Sequence, residues 1–104
     1  MDEGRLHHAV ALLALHLPGA GSRKDRRAHV QRLRRALVDD LGCSVAEVGG
    51  QETWQRVVLG IAVAEGSAAG IDRVVGRIVP LAERDPGVVV THLEVRRDTL
   101  DLEG

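Results

Sequence analysis

The sequence predicts a small α+β domain of the ferredoxin-like type, with the element order βαββαβ. Three observations predict it: two stretches with apolar residues at helical spacing, four runs rich in Val, Leu, Ile and Ala, and Gly- or Pro-containing turns between them. The 104 residues suffice for one domain over residues 1–104, with an ordered core at about residues 8–97. We expect a four-stranded antiparallel sheet with two helices on one face.

The first strand and the first helix occupy the N-terminal third of the chain. An apolar run over residues 9–17 ends at a Gly- and Pro-containing loop, which favours a buried strand. Ser22 is a favourable N-cap, so a helix is predicted over residues 23–41, ending before Gly42. The apolar stripe of this helix is Val30, Leu33, Leu37 and Leu41.

The other strands are short and rich in β-branched residues. They are predicted at residues 43–48, 55–64 and 88–96. The last eight residues, 97–104, are polar, and we expect them to be frayed.

The second helix is predicted from apolar residues at helical spacing over residues 71–82, with Ser67 or a neighbour as its cap. Pro80 lies inside this stretch. An interior proline lacks the N–H that a helix needs, so we expect a bend or an early end there.

The two strands expected at the centre of the sheet are apolar on both faces. In the predicted sheet order 4-1-3-2 these are the first and the third, and the helices cover only one of their faces. In the first strand, Val10, Leu12 and Ala14 point one way, and Ala11, Leu13 and Leu15 the other. The uncovered apolar face predicts a partner surface, and we expect a homodimer.

Composition limits the classes of function. The chain has no Phe or Tyr and one Trp, so its core is aliphatic and base stacking on exposed aromatic side chains is nearly excluded. A single cysteine, Cys43, cannot form an internal disulfide and is interpreted as a buried thiol. The acidic N-terminus and the short apolar run predict neither a signal peptide nor a membrane span, so we expect a cytoplasmic protein.

The first helix concentrates positive charge on a chain of net charge −1, since seven of the fourteen Lys and Arg residues lie in residues 23–35. Such a ridge would contact phosphates of RNA, although the alternative is an ordinary solvated helix face. The candidate anion- or RNA-binding residues are Ser22, Arg23, Lys24, Arg26, Arg27, Arg34 and Arg35.

The start of the same helix supports a second hypothesis. Residues 19–24 combine glycines with a helix N-terminus, where unpaired N–H groups favour an anion. Cations in the first turn oppose the helix dipole, and such a local conflict often marks a functional surface. The alternative function is therefore a dimeric ligand-binding or regulatory module with a small-anion site here.

The turn between the second and third strands carries a polar group with the one tryptophan: Glu47, Gln51, Trp54, Gln55 and Arg56. One interpretation is a polar network joining Glu47, Gln51 and Arg56, with Trp54 anchoring the turn. The other, which we favour, is a hairpin held by local hydrogen bonds and a packed indole, because a lone Trp more often packs than recognises a ligand.

No catalytic or metal-binding constellation is predicted. His16 and His92 are expected on neighbouring strands, but two imidazoles do not make a closed metal site. A nucleophile, a base and an orienting group cannot be assembled from the sequence, so we expect no cofactor and no enzymatic activity.

Five stretches resemble the YlxP-like family, a bacterial domain of unknown function. They read LHLPG, SRKDRR, SVAEVG, WQR and LGIAV, at residues 15–19, 22–27, 44–49, 54–56 and 59–63. The resemblance covers about residues 12–64 and implies a ferredoxin-like fold with no established activity. Genes of this family often sit beside those for translation initiation and ribosome-maturation factors. The resemblance therefore implies an accessory factor that associates with ribosomes or RNA.

Overall fold

The computed structural model describes residues 3–102 and confirms the ferredoxin-like fold. One sheet has the strand order β2-β3-β1-β4 with antiparallel neighbours throughout, as predicted. The elements are β1 (Arg5–His16), α1 (Arg23–Leu41), β2 (Ser44–Gly49), β3 (Arg56–Glu65), α2 (Ala68–Ala82) and β4 (Val89–Asp101).

Local signals at both ends set the bounds of α1. The Ser22 hydroxyl accepts a hydrogen bond from the Asp25 N–H at 3.1 Å. Gly42 adopts the left-handed conformation with φ 67°, and its N–H donates to the Val38 carbonyl, which closes the last turn. The helix therefore spans the residues that the sequence predicts.

The second helix begins after its Ser67 cap, whose hydroxyl accepts from the Gly70 N–H at 3.1 Å. It continues through Pro80 and ends at Ala82, so the predicted early end at Pro80 does not occur. A proline this close to the C-terminal end removes only the hydrogen bond to the Gly76 carbonyl, which the packing of the helix tolerates.

The core lies between the sheet and the two helices, which both pack on one face. It is aliphatic, as predicted, and Cys43 is buried within it. Its most deeply buried side chains include Leu13, Leu37, Leu59, Val74 and Ile78. Within residues 3–102, none of the helices combines the length and the hydropathy that crossing a membrane requires.

The other face of the sheet carries no helix. Val10 and Leu12 of β1 are about half exposed there, at 52% and 47%, whereas Ala11 and Leu13 are buried under the helices. The prediction that β1 is apolar on both faces is therefore confirmed.

The C-terminal strand is longer than predicted. β4 runs to Asp101, through residues 97–101 that the sequence predicts to be frayed. β1 also begins early, at Arg5, and the two strands pair in register from Arg5 opposite Asp101. Pairing with β1 satisfies those backbone groups of this polar segment that face β1, and the paired strands contribute to a molecule 51 Å long and only 19 Å thick.

Candidate functional site

A cationic cleft lies between α1 and the turn that joins β2 to β3, with a volume of about 460 Å³. It brings together the basic helix and the hairpin group, which the sequence presented as separate features. We call it the arginine cleft, and it is lined by Arg23, Arg26, Arg27, Val30, Gln31, Arg34, Glu47, Gln51 and Trp54.

The floor of the arginine cleft is an ion pair between Arg26 and Glu47. The Arg26 guanidinium also donates to the Arg56 carbonyl at 3.2 Å, and its side chain is only 11% exposed. Glu47 lies opposite Leu59, on the side of the sheet that faces the helices, so its carboxylate points towards α1. Arg26 therefore connects α1 to β2 and β3, and it is not an open phosphate contact as the sequence suggested.

Most of the cations without a carboxylate partner lie on α1. Seven of the fourteen Lys and Arg residues form ion pairs: Arg5, Arg26, Arg32, Arg73, Arg84, Arg96 and Arg97. Among the described residues, the other seven have no carboxylate oxygen within 4 Å. Five of these seven belong to α1: Arg23, Lys24, Arg27, Arg34 and Arg35.

These five side chains form two adjoining rows. Arg23, Arg27 and Arg34 follow one another at helical spacing and line the arginine cleft. Lys24 and Arg35 lie on the next row outwards, about 100° further round the helix, and do not line it. Phosphates could thus be contacted along a continuous basic ridge whose inner edge is the cleft.

The N-terminus of α1 is already occupied by its own side chains. The Ser22 hydroxyl accepts from the Asp25 N–H, and the Asp25 carboxylate accepts from the Gly21 N–H at 3.2 Å. A carboxylate therefore sits where a bound anion would use these donors. The geometry does not favour the predicted small-anion site at residues 19–24.

Trp54 is not packed in the core. Its side chain is 52% exposed and forms part of the wall of the arginine cleft, so the packed indole of the favoured interpretation is wrong. The local hydrogen bonds of that interpretation are present, since the Thr53 N–H donates to the Gly50 carbonyl and the Gln55 N–H to the Thr53 hydroxyl. The exposed indole also offers a surface for stacking, which the composition was expected nearly to exclude. The sequence offered one signal for this position, since Trp54 is the one apolar residue in the polar stretch over residues 51–56.

The polar network, which was the less favoured interpretation of the hairpin, does not form among the described residues. Glu47 pairs with Arg26, and no hydrogen bond joins it to Gln51 or Arg56. Gln55 instead fixes the turn to the loop after β1, through its backbone carbonyl, which accepts from the Leu17 N–H at 2.8 Å, and its side-chain amide, which donates to the Ala20 carbonyl.

The histidines are dispersed. His16 and His92 lie on the neighbouring strands β1 and β4, as expected, two register positions apart. No cluster of three or more His, Cys, Asp or Glu side chains within residues 3–102 could hold a metal ion. Burial, followed by the nearby charge of Glu65, raises the pKa of the Cys43 thiol, which makes this cysteine a poor nucleophile.

Comparison with known proteins places the chain in a family. Residues 9–95 match the family described as "Protein of unknown function (DUF503)". The chain is 30% identical over 69 residues to "Uncharacterized protein YlxP" of Bacillus subtilis (strain 168), covering 66% of this chain and 75% of that protein.

Two solved structures share the fold. The structural genomics protein YJCS matches with a TM-score of 0.57 and 9% identity over 86% of this chain and 96% of its own. The de novo designed protein Foldit4 matches with a TM-score of 0.54 and 16% identity over 88% and 96%. These likenesses concern the fold alone. The family match over most of the chain is decisive: this protein is a member of the DUF503, or YlxP-like, family of proteins of unknown function.

Proposed function

We propose that this protein is a non-enzymatic accessory factor that binds RNA, with ribosomal RNA as its target, through the basic ridge of α1. The observation that carries the proposal is the concentration of unpaired cations. Five Lys and Arg residues with no carboxylate partner within residues 3–102 share one side of one helix, while most cations elsewhere are neutralised.

Unpaired cations are the groups that bind phosphate most readily. A cation held in an ion pair must give up its carboxylate before it can contact a phosphate, whereas an exposed Arg without such a partner gives up only water, and the RNA releases condensed counterions. Arg27 and Arg34 are both exposed and both line the arginine cleft. They are therefore the contacts on which affinity should depend most.

Because the net charge is −1, attraction to RNA depends on the local charge of the ridge and not on the charge of the whole chain. Screening limits electrostatic attraction to about 8 Å at physiological ionic strength, so the chain as a whole does not attract RNA from a distance. Contacts begin only when phosphates reach the ridge. Because phosphate contacts position a nucleic acid without reading its sequence, RNA shape and accessibility would decide the target.

The test is binding of ribosomal subunits and rRNA fragments across a salt series, by co-sedimentation and fluorescence anisotropy. Wild-type affinity should fall with added salt. If all five cations contact single-stranded RNA, the slope of log affinity against log salt is about −3.5. Arg27→Glu combined with Arg34→Glu should lower affinity at least tenfold and flatten the slope by more than about 1.

The matched control is Arg77→Glu. Arg77 lies exposed on α2, outside the arginine cleft and without an ion-pair partner among the described residues. Its reversal changes the net charge by about −2, the same change that Arg27→Glu or Arg34→Glu makes alone, and should leave affinity within about twofold. An RNA affinity that is unchanged by the double reversal, or that does not depend on salt concentration, would show the proposal to be wrong.

A further inference from the structure

Resting on the RNA-binding proposal, we infer that the arginine cleft accepts one unpaired nucleotide, whose base stacks on Trp54 while its flanking phosphates contact Arg27 and Arg34. Trp54 is the only aromatic ring in the chain other than the histidines, and about half of its surface is exposed. An indole left in water at the wall of a cationic cleft is suited to a flat, π-faced ligand.

The dimensions and polarity of the arginine cleft fit this ligand class. Its volume of about 460 Å³ falls within the usual range for small-ligand sites. Guanidinium groups from Arg23, Arg27 and Arg34 supply positive charge along the α1 side, and Gln51 supplies an amide beside the indole. A nucleotide presents both a flat base and phosphate oxygens at matching ends.

Unpaired RNA fits better than duplex RNA. In a duplex, both faces of each base are stacked on neighbours, and the A-form major groove is too deep and narrow for side chains to read. An exposed indole gains a stacking partner only from a loop, a bulge or a single strand. The ridge alone would bind both forms, so Trp54 is the group that should distinguish them.

The experiment uses the intrinsic fluorescence of Trp54, which reports on this position alone because the chain has no second Trp or Tyr. A single-stranded RNA oligonucleotide should quench the emission, and the same strand annealed to its complement should quench it much less. Trp54→Ala should lower single-strand affinity about tenfold, leave duplex affinity and the salt slope unchanged, and abolish the preference. Trp54→Phe should restore part of it.

The outcomes distinguish the stacking inference from the RNA-binding proposal on which it rests. If Trp54→Ala keeps the single-strand preference while reversal of Arg27 and Arg34 removes binding, RNA binding stands and the stacking inference is wrong. If both sets of variants bind RNA like the wild type, both fail.

The uncovered face of the sheet supports an independent proposal: we propose that it is the interface of a homodimer. Val10, Leu12 and Ala62 form the centre of a shallow apolar depression of about 470 Å³ on this face. Four strands about 4.8 Å apart and about ten residues long present roughly 600 Å² per copy, close to the area that a standard interface buries on each partner.

The charges on β4 make this face complementary to itself. His92, Glu94, Arg96 and Asp98 alternate along the edge of the same face, and Arg96 and Glu94 of one chain already pair at 2.8 Å. Consider a twofold axis that lies between the two stacked sheets, at right angles to the strands, and passes β4 between Glu94 and Arg96. This axis places each Glu94 opposite the partner's Arg96. The same operation places Asp98 opposite the partner's His92.

The apolar residues match under that same axis. Val10 lies opposite Arg96 and Leu12 opposite Glu94 in the β1–β4 register, so each Val10 meets the partner's Leu12. A second copy of the chain would therefore bury the apolar centre and pair the charges of the edge at the same time. RNA does not fit this face, because Glu94 and Asp98 balance its cations.

Sedimentation equilibrium tests the homodimer. Glu94→Arg alone and Arg96→Glu alone should each weaken dimerisation at least tenfold, and the double exchange should restore it to within a fewfold, because the opposed pairs are recreated. Val38→Glu, a charge placed on an exposed apolar site of α1, should have no effect. A wild-type chain that stays monomeric at 100 μM, a concentration on the order of a weak interface's Kd, or a double exchange that does not restore dimerisation, would overturn the proposal.

Discussion

Asp85 lies just after α2, and its carboxylate joins that end of α2 to α1. One oxygen lies 2.6 Å from His29 Nδ1 and 3.0 Å from an Arg32 nitrogen of α1, and the other accepts from the Gly87 N–H. Burial alone would raise the pKa of this group, but the hydrogen bonds from His29, Gly87 and Arg32 together outweigh it and lower the pKa from 3.8 to about 2. The sequence marks this position only as part of a turn.

Replacement of Asp85 should weaken the fold and change its response to acid. Because the folded pKa lies below the unfolded one, the carboxylate contributes stability above about pH 4, and that contribution is lost as the pH falls towards 2. Asp85→Asn should lower the free energy of unfolding by about 1–2 kcal/mol at pH 7, a figure reduced for solvent screening of Arg32. Urea unfolding at several pH values measures this difference.

The comparison that isolates Asp85 uses Asp39→Asn, at an exposed carboxylate of α1 that forms no ion pair among the described residues. Wild type and Asp39→Asn should lose stability in parallel between pH 4 and 2, and Asp85→Asn should lose less. Parallel curves for all three proteins would contradict this account of Asp85.

The β2–β3 turn is the element that carries Trp54 and Gln51 into the arginine cleft, and its shape depends on one glycine. Gly50 has φ 84°, and a Cβ placed there would overlap the Arg56 carbonyl oxygen. Neither the dihedral angle nor the contact tolerates a side chain. Gly76, within α2, has open space around its Cβ position and helical backbone.

Alanine should therefore have opposite effects at these two glycines. Gly50→Ala should lower the free energy of unfolding by more than about 1 kcal/mol, because backbone atoms must move to admit the methyl group. Gly76→Ala should raise it by about 0.5–1 kcal/mol, because alanine costs less entropy in a helix. Chemical unfolding of both variants gives the two signs, and a change of equal sign at both positions would contradict the structural reason.

The whole molecule presents two chemically different surfaces. The sheet separates the helical layer, with the arginine cleft at its edge, from an apolar face bordered by the balanced charges of β4. A dimer formed through the open face would leave both arginine clefts accessible, because they lie on the helical side of each sheet. The two proposals are therefore compatible, and each can fail without the other.

Much of this architecture is determined locally along the chain. Ser22, Ser67 and Gly42 cap the helices through hydrogen bonds to residues within five positions, and apolar spacing sets which helix faces are buried. The sequence accordingly predicts the bounds of α1, the strand order and the open apolar face. The sequence does not predict that the last strand continues to pair beyond residue 96, because exposed polar residues carry no periodic signal of a partner strand.

The candidate site depends on contacts that the sequence does not specify. The same run of basic residues contains Arg26, buried against Glu47, Arg32, paired with Asp85, and Arg27, which has no ion-pair partner among residues 3–102. Only the fold separates them, because each partner lies more than twenty residues away. By itself the sequence determined the fold, the family and the charge of α1. The tertiary structure decided which cations stay open and placed Trp54 beside them, since exposure and ion pairing follow from which distant elements pack together.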